Sequence, residues 1–509
     1  MDKLKKIVRN NCFIYFLLAV FCLALACTSQ NYDYDLYARL IVGEHFFETG
    51  WIAYNDFLSY TPTHQWFDHE WGASLFFYAF LKLFGNFGLI LIYAILMFFT
   101  VFFIIKTQRL QKHSYPISLA FLALFLMLYF HQNPSIVRCH MFSFMFFSML
   151  LYFLEKTRIQ NSNILWLMPI ITIFWNNIHG GVVSGLGIIF IYMIGEILSK
   201  KPWKKYFWVL FVSTPLLIIN PYGINYLNFL LSANTMSRYY VTEWWDVFEL
   251  RHVRLVYPQF FVSVFTTLLI ISKILERKNF NLTKFLVLFV TTVLGILHVK
   301  LLSLPIIVLS ALYYNEILSL FNKNFVRALN KLALNFICVS ILYLPITQPT
   351  IARSDLNKYP IKEVEFLKIN NIKGNILTVF GLGSYVSYKL YPDNLIYMDG
   401  RYEEVYNNEE FNNLKSYETV AENWDNVLKD YPTQILMPVL GSKIYNHLKE
   451  SKTWTEVYKG NVTGVFLPKD KVKYNKKFIE PTNNINYYRN NEFENNGQFG
   501  VSKYANKQN

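Results

Sequence analysis

NFGLILIYAILMFFTVFFII, running from Asn86 to Ile105, is a stretch of 20 residues without a single charge. A bilayer core about 30 Å thick is crossed by a helix of about 20 apolar residues, so this stretch reads as a membrane span. Lys106, Arg109 and Lys112 follow it directly. The apolar segment before it, residues 72–85, is too short to cross and reads as a helix lying in the membrane interface. The same rhythm repeats outward in both directions. Apolar stretches at 12–28, 115–131, 140–155, 163–178, 182–199, 206–220, 256–272, 284–298, 301–320 and 329–346 bring the expected spans to eleven.

The cations between these stretches set the orientation. With the N-terminus inside, the cytoplasmic connections carry 20 Lys and Arg, beginning with Lys3, Lys5, Lys6 and Arg9. The outer connections before the C-terminal region carry only seven: Arg39, Lys82, Arg138, Arg238, Arg251, Arg254 and Lys300. Positive residues collect on the cytoplasmic side of membrane proteins, so the pattern predicts N-in, eleven spans and C-out. Composition agrees: 53% of the 509 residues are hydrophobic and 16% are charged, against about 25% charged in soluble domains. The net charge of +14 therefore belongs to topology, and a nucleic-acid partner is excluded. The five cysteines form no C-x-x-C pair, so neither a disulfide framework nor a zinc site is expected.

After Ile346 the chain becomes more polar. Segments 375–380, 395–399 and 434–438 read as strands, and 360–370, 411–430 and 442–451 as helices. This predicts a small extracytoplasmic α/β domain over 350–470. Residues 471–509, rich in Asn and Lys, read as a disordered tail. Residues 1–349 form the expected transmembrane domain, with a first outer loop at 29–85.

That loop holds the best candidate chemistry. It carries Asp33, Asp35, Glu44, Glu48, Asp56, Asp68 and Glu70 among seven tryptophans, tyrosines and phenylalanines between Trp51 and Trp71. A carboxylate here suits a general base. The pair Asp33 and Asp35 also offers hard oxygen ligands to a divalent cation, Mg or Mn, if one is used. Ionisable groups at the outer ends of spans are costly in a membrane and mark functional sites. Arg138, His179, Glu243, Arg251, Arg254, His298 and Lys300 are such groups, and the cations among them suit a lipid-linked phosphate.

The ordered elements resemble a known superfamily. Asp35-Leu36-Tyr37-Ala38-Arg39-Leu40, Gly43, Gly50, Asp56, Ser59-Tyr60-Thr61, Trp66 and His69-Glu70-Trp71 are similar to the first outer loop of bacterial GT-C membrane glycosyltransferases, in the dolichyl-phosphate-mannose–protein mannosyltransferase-like branch. Trp175-Asn176-Asn177-Ile178-His179-Gly180-Gly181, Asn220-Pro221-Tyr222-Gly223, Glu243-Trp244, Gly383-Ser384-Tyr385 and Met398-Asp399-Gly400-Arg401 continue the likeness. Ala38-Arg39 stands where the branch has Trp-His, and Asn55-Asp56-Phe57 lacks its proline.

The resemblance implies an all-α polytopic fold with the outer α/β domain, in the bacterial cytoplasmic membrane. It implies transfer of a sugar from a polyprenyl-phosphate donor to an acceptor outside the cytoplasm. Asp35 would be the catalytic base, with Asp33 as substitute or metal partner. Asp56, His69, Glu70 and Glu243 would shape the acceptor side. Arg138, His298 and Lys300 are chosen for the donor phosphate from charge and topology. Two other readings stand beside this one: a non-catalytic relative serving envelope polysaccharide assembly or export, and a polysaccharide polymerase or transporter. Transporters usually show internal repeats, and none is visible in this sequence.

Overall fold

The computed structural model describes residues 11–28, 32–111, 137–235, 241–250, 257–276, 280–319, 321–347, 355–472, 477–490 and 492–493. The expected span at 115–131, and Arg238, Arg251 and Arg254, lie outside these residues. Two compact units partition the chain. The first takes residues 1–29, 90–230 and 237–350; the second takes 30–89, 231–236 and 351–509.

The first unit is helical. Its helices follow the expected spans closely: Asn11–Thr28, Asn86–Leu110 (which enters from the second unit), His140–Gln160, Met168–Ile178, Val182–Leu198, Lys204–Ser213, Tyr257–Leu275, Leu282–Leu297, Ser303–Leu312 and Lys323–Thr347. Two stretches, Asn86–Leu110 and Lys323–Tyr343, are long and apolar enough to cross a bilayer, and shorter apolar helices accompany them. Many of these helices are apolar on more than one face. Phe174, Phe190, Phe211, Phe261, Leu268 and Leu342 all point outward and are exposed. Exposed apolar surface on this scale suits lipid contact. Inside, Gln108 donates to the Ser310 carbonyl at 2.7 Å.

The second unit corrects the expected domain boundary. The first outer loop was assigned to the membrane domain, but it folds together with the C-terminal domain. Ile396 forms parallel bridges to both Ser59 of the loop and Ile376. The Ile396 amide donates to the Leu58 carbonyl at 3.0 Å, and the Tyr60 amide to the Ile396 carbonyl at 3.1 Å. Backbone pairing of this kind satisfies buried peptide groups that a solitary loop would have to leave to water. The loop also contains the unanticipated helix Leu36–Thr49, which packs on helix Trp71–Phe84, the segment read as interfacial.

The sheet has four strands: β1 (Ile376–Thr378), β2 (Ile435–Met437), β3 (Trp454–Lys459) and β4 (Gly464–Pro468). Their order is β1-β2-β4-β3. β1 runs parallel to β2, and β4 is antiparallel to both β2 and β3. β1 and β2 match the sequence reading, whereas β3 and β4 went unread. Segment 395–399 contributes the Ile396 bridges rather than a full strand. The tail expected to be disordered from 471 is folded in part: Ile485–Asn490 is helical, and Asn370 exchanges hydrogen bonds with the backbone of Ile479 at 2.8 and 2.9 Å. Phe478 stacks near Phe366 at 5.4 Å, the apolar anchor that an Asn/Lys-rich composition obscures.

Candidate active site

Asp33 and Asp35 share a tight turn ahead of helix Leu36–Thr49. The buried Asp33 carboxylate accepts the Asp35 amide at 2.9 Å. Asp35 occupies the N-cap position, yet its side chain makes no capping bond to the helix. Its carboxylate instead lies against Gly400. A β-carbon at Gly400 would collide with Asp35 Oδ1 and stand 3.6 Å from Ser384 Oγ. The glycine of Asp399-Gly400-Arg401 is therefore what gives the Asp35 carboxylate its room. The two aspartates divide the labour: Asp33 sets the turn, and Asp35 presents a partly exposed acid.

Three other loop acids, Asp56, Asp68 and Glu70, are drawn into two charge networks. Arg39, only 4% exposed, reaches Asp68 at 2.5 Å and Glu404 at 2.9 Å, with Glu70 at 3.7 Å. His69 lies 3.0 Å from Glu404 and 3.8 Å from Glu70. Burial works against charge on His69, but Glu404 and Glu70 outweigh it and raise its pKa to about 9. Burial pushes Asp68 upward, reinforced by nearby Glu404 and opposed by Arg39. In the second network the fully enclosed Arg401 contacts Asp56 at 2.6 Å and Asp399 at 2.8 Å. Burial opposes the Asp56 charge, but Arg401 overcomes it and holds the carboxyl below its ordinary range. Trp66 couples the networks: its ring lies 4.6 Å from the Arg401 guanidinium, and its indole N–H donates to Glu404 at 3.1 Å.

This placement separates the sequence candidates. Asp35 keeps a geometry suited to chemistry. Asp56, expected on the acceptor side, is committed to Arg401 inside the fold. His69 and Glu70, expected on the acceptor side, lie around Glu404 and Arg39. Arg39, Trp66, Glu404 and Arg401 were missed as site residues. Arg39 was legible as the one basic residue amid seven acids, and Arg401 as the end of a noted motif; Glu404 had no local signal.

Among the described residues, one set can bring three ligand atoms within 4.8 Å of one another: His69, Glu70 and Glu404. Asp33 and Asp35, the expected metal pair, are not in it. An imidazole with two carboxylates suits Mn better than Mg, which prefers oxygen and water. Arg39 already supplies positive charge at Glu404 and Glu70, so this structure gives no reason to place a metal there.

In the first unit, the cations chosen for a phosphate gather around Glu243 and Trp244. Arg138 donates to Glu243 at 2.8 Å. Lys300 Nζ sits 3.4 Å from the Trp244 ring centre, a cation–π contact. His298 Nδ1 lies 2.9 Å from the Trp244 carbonyl, and the Val299 amide donates to the Trp245 carbonyl at 3.0 Å. Burial disfavours the Glu243 charge, but Arg138 and Lys300 prevail and lower its pKa to about 2. Glu243, expected with the acceptor residues, thus belongs to the cation cluster. Among the described residues, the Glu243 carboxylate is set against the cations Arg138 and Lys300.

No protein-family profile and no curated protein matches the sequence. Solved structures do match. The oligosaccharyltransferase AglB of Archaeoglobus fulgidus, solved with an inhibitory peptide and a dolichol-phosphate, superimposes with a TM-score of 0.57 at 12% identity, over 84% of this chain and 70% of AglB. The arabinofuranosyltransferase AftD from Mycobacteria gives a TM-score of 0.54 at 13% identity, over 90% of this chain and 40% of AftD. These likenesses, at 12% and 13% identity, show that the chain shares a fold with AglB and AftD.

Proposed function

We propose that the protein is a membrane glycosyltransferase that moves a sugar from a polyprenyl-phosphate donor to an extracytoplasmic acceptor. The observation that carries this reading is Asp35: it stands at the head of a helix it does not cap, in a space kept open by Gly400. A carboxylate so placed suits a general base. In the reaction Asp35 takes the proton of the acceptor hydroxyl. The acceptor oxygen bonds to the anomeric carbon as the bond from that carbon to the phosphate oxygen breaks. Polyprenyl phosphate leaves with the bonding pair. Direct attack inverts the anomeric centre. Asp33 holds the turn, while Arg39, His69, Glu70 and Glu404 stiffen the loop behind the base. In this reading the chain crosses a bacterial cytoplasmic membrane eleven times, N-terminus in, with the C-terminal domain outside.

The test is Asp35→Asn in purified full-length protein reconstituted with a polyprenyl-phosphate sugar. General bases contribute about 10²–10⁴-fold, so transfer should fall by at least a hundredfold while the thermal midpoint stays put. Undiminished transfer would remove Asp35 from catalysis. Normal envelope glycans in cells carrying only this variant would favour the non-catalytic reading.

A further inference from the structure

Helices Val182–Leu198 and Lys204–Ser213 meet at Lys200-Lys201-Pro202-Trp203-Lys204-Lys205, where four of six residues are lysine. The backbone fixes this turn. The Lys201 amide donates to the Glu196 carbonyl at 2.8 Å and the Lys200 amide to the Ile197 carbonyl at 2.9 Å, the pair of bonds that closes a helix on a left-handed residue. That residue is Lys200, at φ 55°, where glycine would sit with less strain. Lys205 ties the other side of the turn: its ammonium donates to Asn161 Oδ1 at 3.2 Å and to the Ser162 carbonyl at 3.1 Å. Lys200, Lys201 and Lys204 are exposed, and among the described residues none of the three enters an ion pair. The one acid between residues 156 and 213 is Glu196. It is buried and accepts from the Thr283 hydroxyl at 2.7 Å.

An apolar stripe starts at the same turn. Trp203, Phe207 and Phe211 are spaced by four, the interval that brings side chains together along a helix. Trp203 and Phe207 meet edge to face at 6.1 Å, and Phe207 and Phe211 stack at 6.1 Å. Trp208 lies against these two phenylalanines at 5.3 and 5.7 Å. Phe207, Trp208 and Phe211 are exposed. Cations at the head of an exposed aromatic stripe match an amphiphile with an anionic head and a hydrocarbon tail. We propose that the turn and the stripe bind an anionic phospholipid, its phosphate among Lys200, Lys201 and Lys204 and an acyl chain along Trp203, Phe207 and Phe211. A soluble acidic protein would use the lysines but leave the aromatic stripe bare, so the lipid is the better occupant. The left-handed Lys200 agrees: a charge is kept where glycine would relax the backbone. This site presumes the membrane setting of the function proposed above and none of its chemistry.

The test uses full-length protein in detergent micelles and two phospholipids brominated on the acyl chain, a phosphatidylglycerol and a phosphatidylcholine. Bromine quenches nearby indoles, and the Trp208 share of the signal is the difference between wild type and Trp208→Phe. Phosphatidylglycerol should quench Trp208 at lower concentration than phosphatidylcholine. That preference should fall about fivefold for each lysine removed, in Lys200→Gly, Lys201→Gln and Lys204→Gln. Lys200→Gly relieves the backbone, so a loss there is not the loss of the turn. The combined variant Lys323→Gln, Arg327→Gln and Lys331→Gln, which removes three other exposed cations, should keep the preference. An equal loss in that variant would mean diffuse attraction to a basic face and would overturn the site. Quenching confined to other tryptophans would overturn the acyl path. Polyglutamate that binds more tightly than phosphatidylglycerol, with the same lysine dependence, would give the turn to an acidic protein instead. Equal quenching by both lipids would overturn the anionic assignment and leave the proposed function standing. Protein that stays soluble and monodisperse without lipid or detergent would defeat both.

Discussion

At Gly400 a single methyl group decides where Asp35 can sit. Gly400→Ala should displace the Asp35 carboxylate, because the added carbon meets Oδ1. Misplacing a reacting group by about 1 Å can cost about 10²-fold in rate. The expected result is a comparable fall in transfer with little change in thermal midpoint, read by parallel activity and unfolding assays. His69 yields a pH prediction. Its pKa rises from 6.5 to about 9 on folding. A raised histidine pKa stabilises the folded state fully below the unfolded value, and the gain is lost as pH climbs through the folded value. The thermal midpoint should therefore decline between about pH 6.5 and 9, and His69→Gln should flatten that decline. An equal slope in the variant would assign the effect elsewhere. At this scale the sequence was partly legible. Asp35, Asp56, His69 and Glu70 stood out because acids and an imidazole amid aromatics are conspicuous, while Arg401, the counter-ion of Asp56, lies 345 residues away and gave no local sign of the pairing.

At the scale of elements, the loop and the C-terminal domain are held together by backbone bridges at Ile396 and by buried ion pairs. Arg401 is completely enclosed and touches Asp56 and Asp399. Removing one member of a buried pair costs about 3–5 kcal/mol, because the remaining charges lose their compensation. Arg401→Met should therefore loosen the loop, and limited proteolysis near the exposed Trp51 should speed up markedly. Unchanged cleavage would mean that the backbone bridges alone hold the loop. The apolar helices were readable because a long uncharged run admits few alternatives. Helix Leu36–Thr49 was hidden by Glu44 and Glu48, which made a buried helix look like a soluble loop. β3 was hidden by Thr455, Glu456 and Lys459, which break the apolar run expected of a strand, and β4 by its shortness between Gly464 and Pro468.

For the whole molecule, the ladder of cations that the sequence reading puts on the cytoplasmic side makes a topological prediction. A reporter active only outside the cytoplasm, fused after Ile346, should be active; an inactive fusion with an active cytoplasmic counterpart would overturn the span count. The neighbours AglB and AftD share the fold at 12% and 13% identity, so the architecture persists where little sequence does. What the sequence could not disclose was the partition of the chain. Hydropathy separates membrane from water segment by segment, and it carries no information on which two aqueous segments will meet.

The meeting of those segments has a consequence for biogenesis. Asp56 emerges early in synthesis, and Arg401 follows 345 residues later. At about 5–20 residues per second, the acidic loop waits on the order of 20–70 s for its counter-ion. During that interval the apolar helices from Asn86–Leu110 to Lys323–Thr347 are made while the acidic loop has no finished scaffold. The loop then reaches its final fold only on completion of the chain, and a prematurely terminated product would leave Asp56 without its counter-ion.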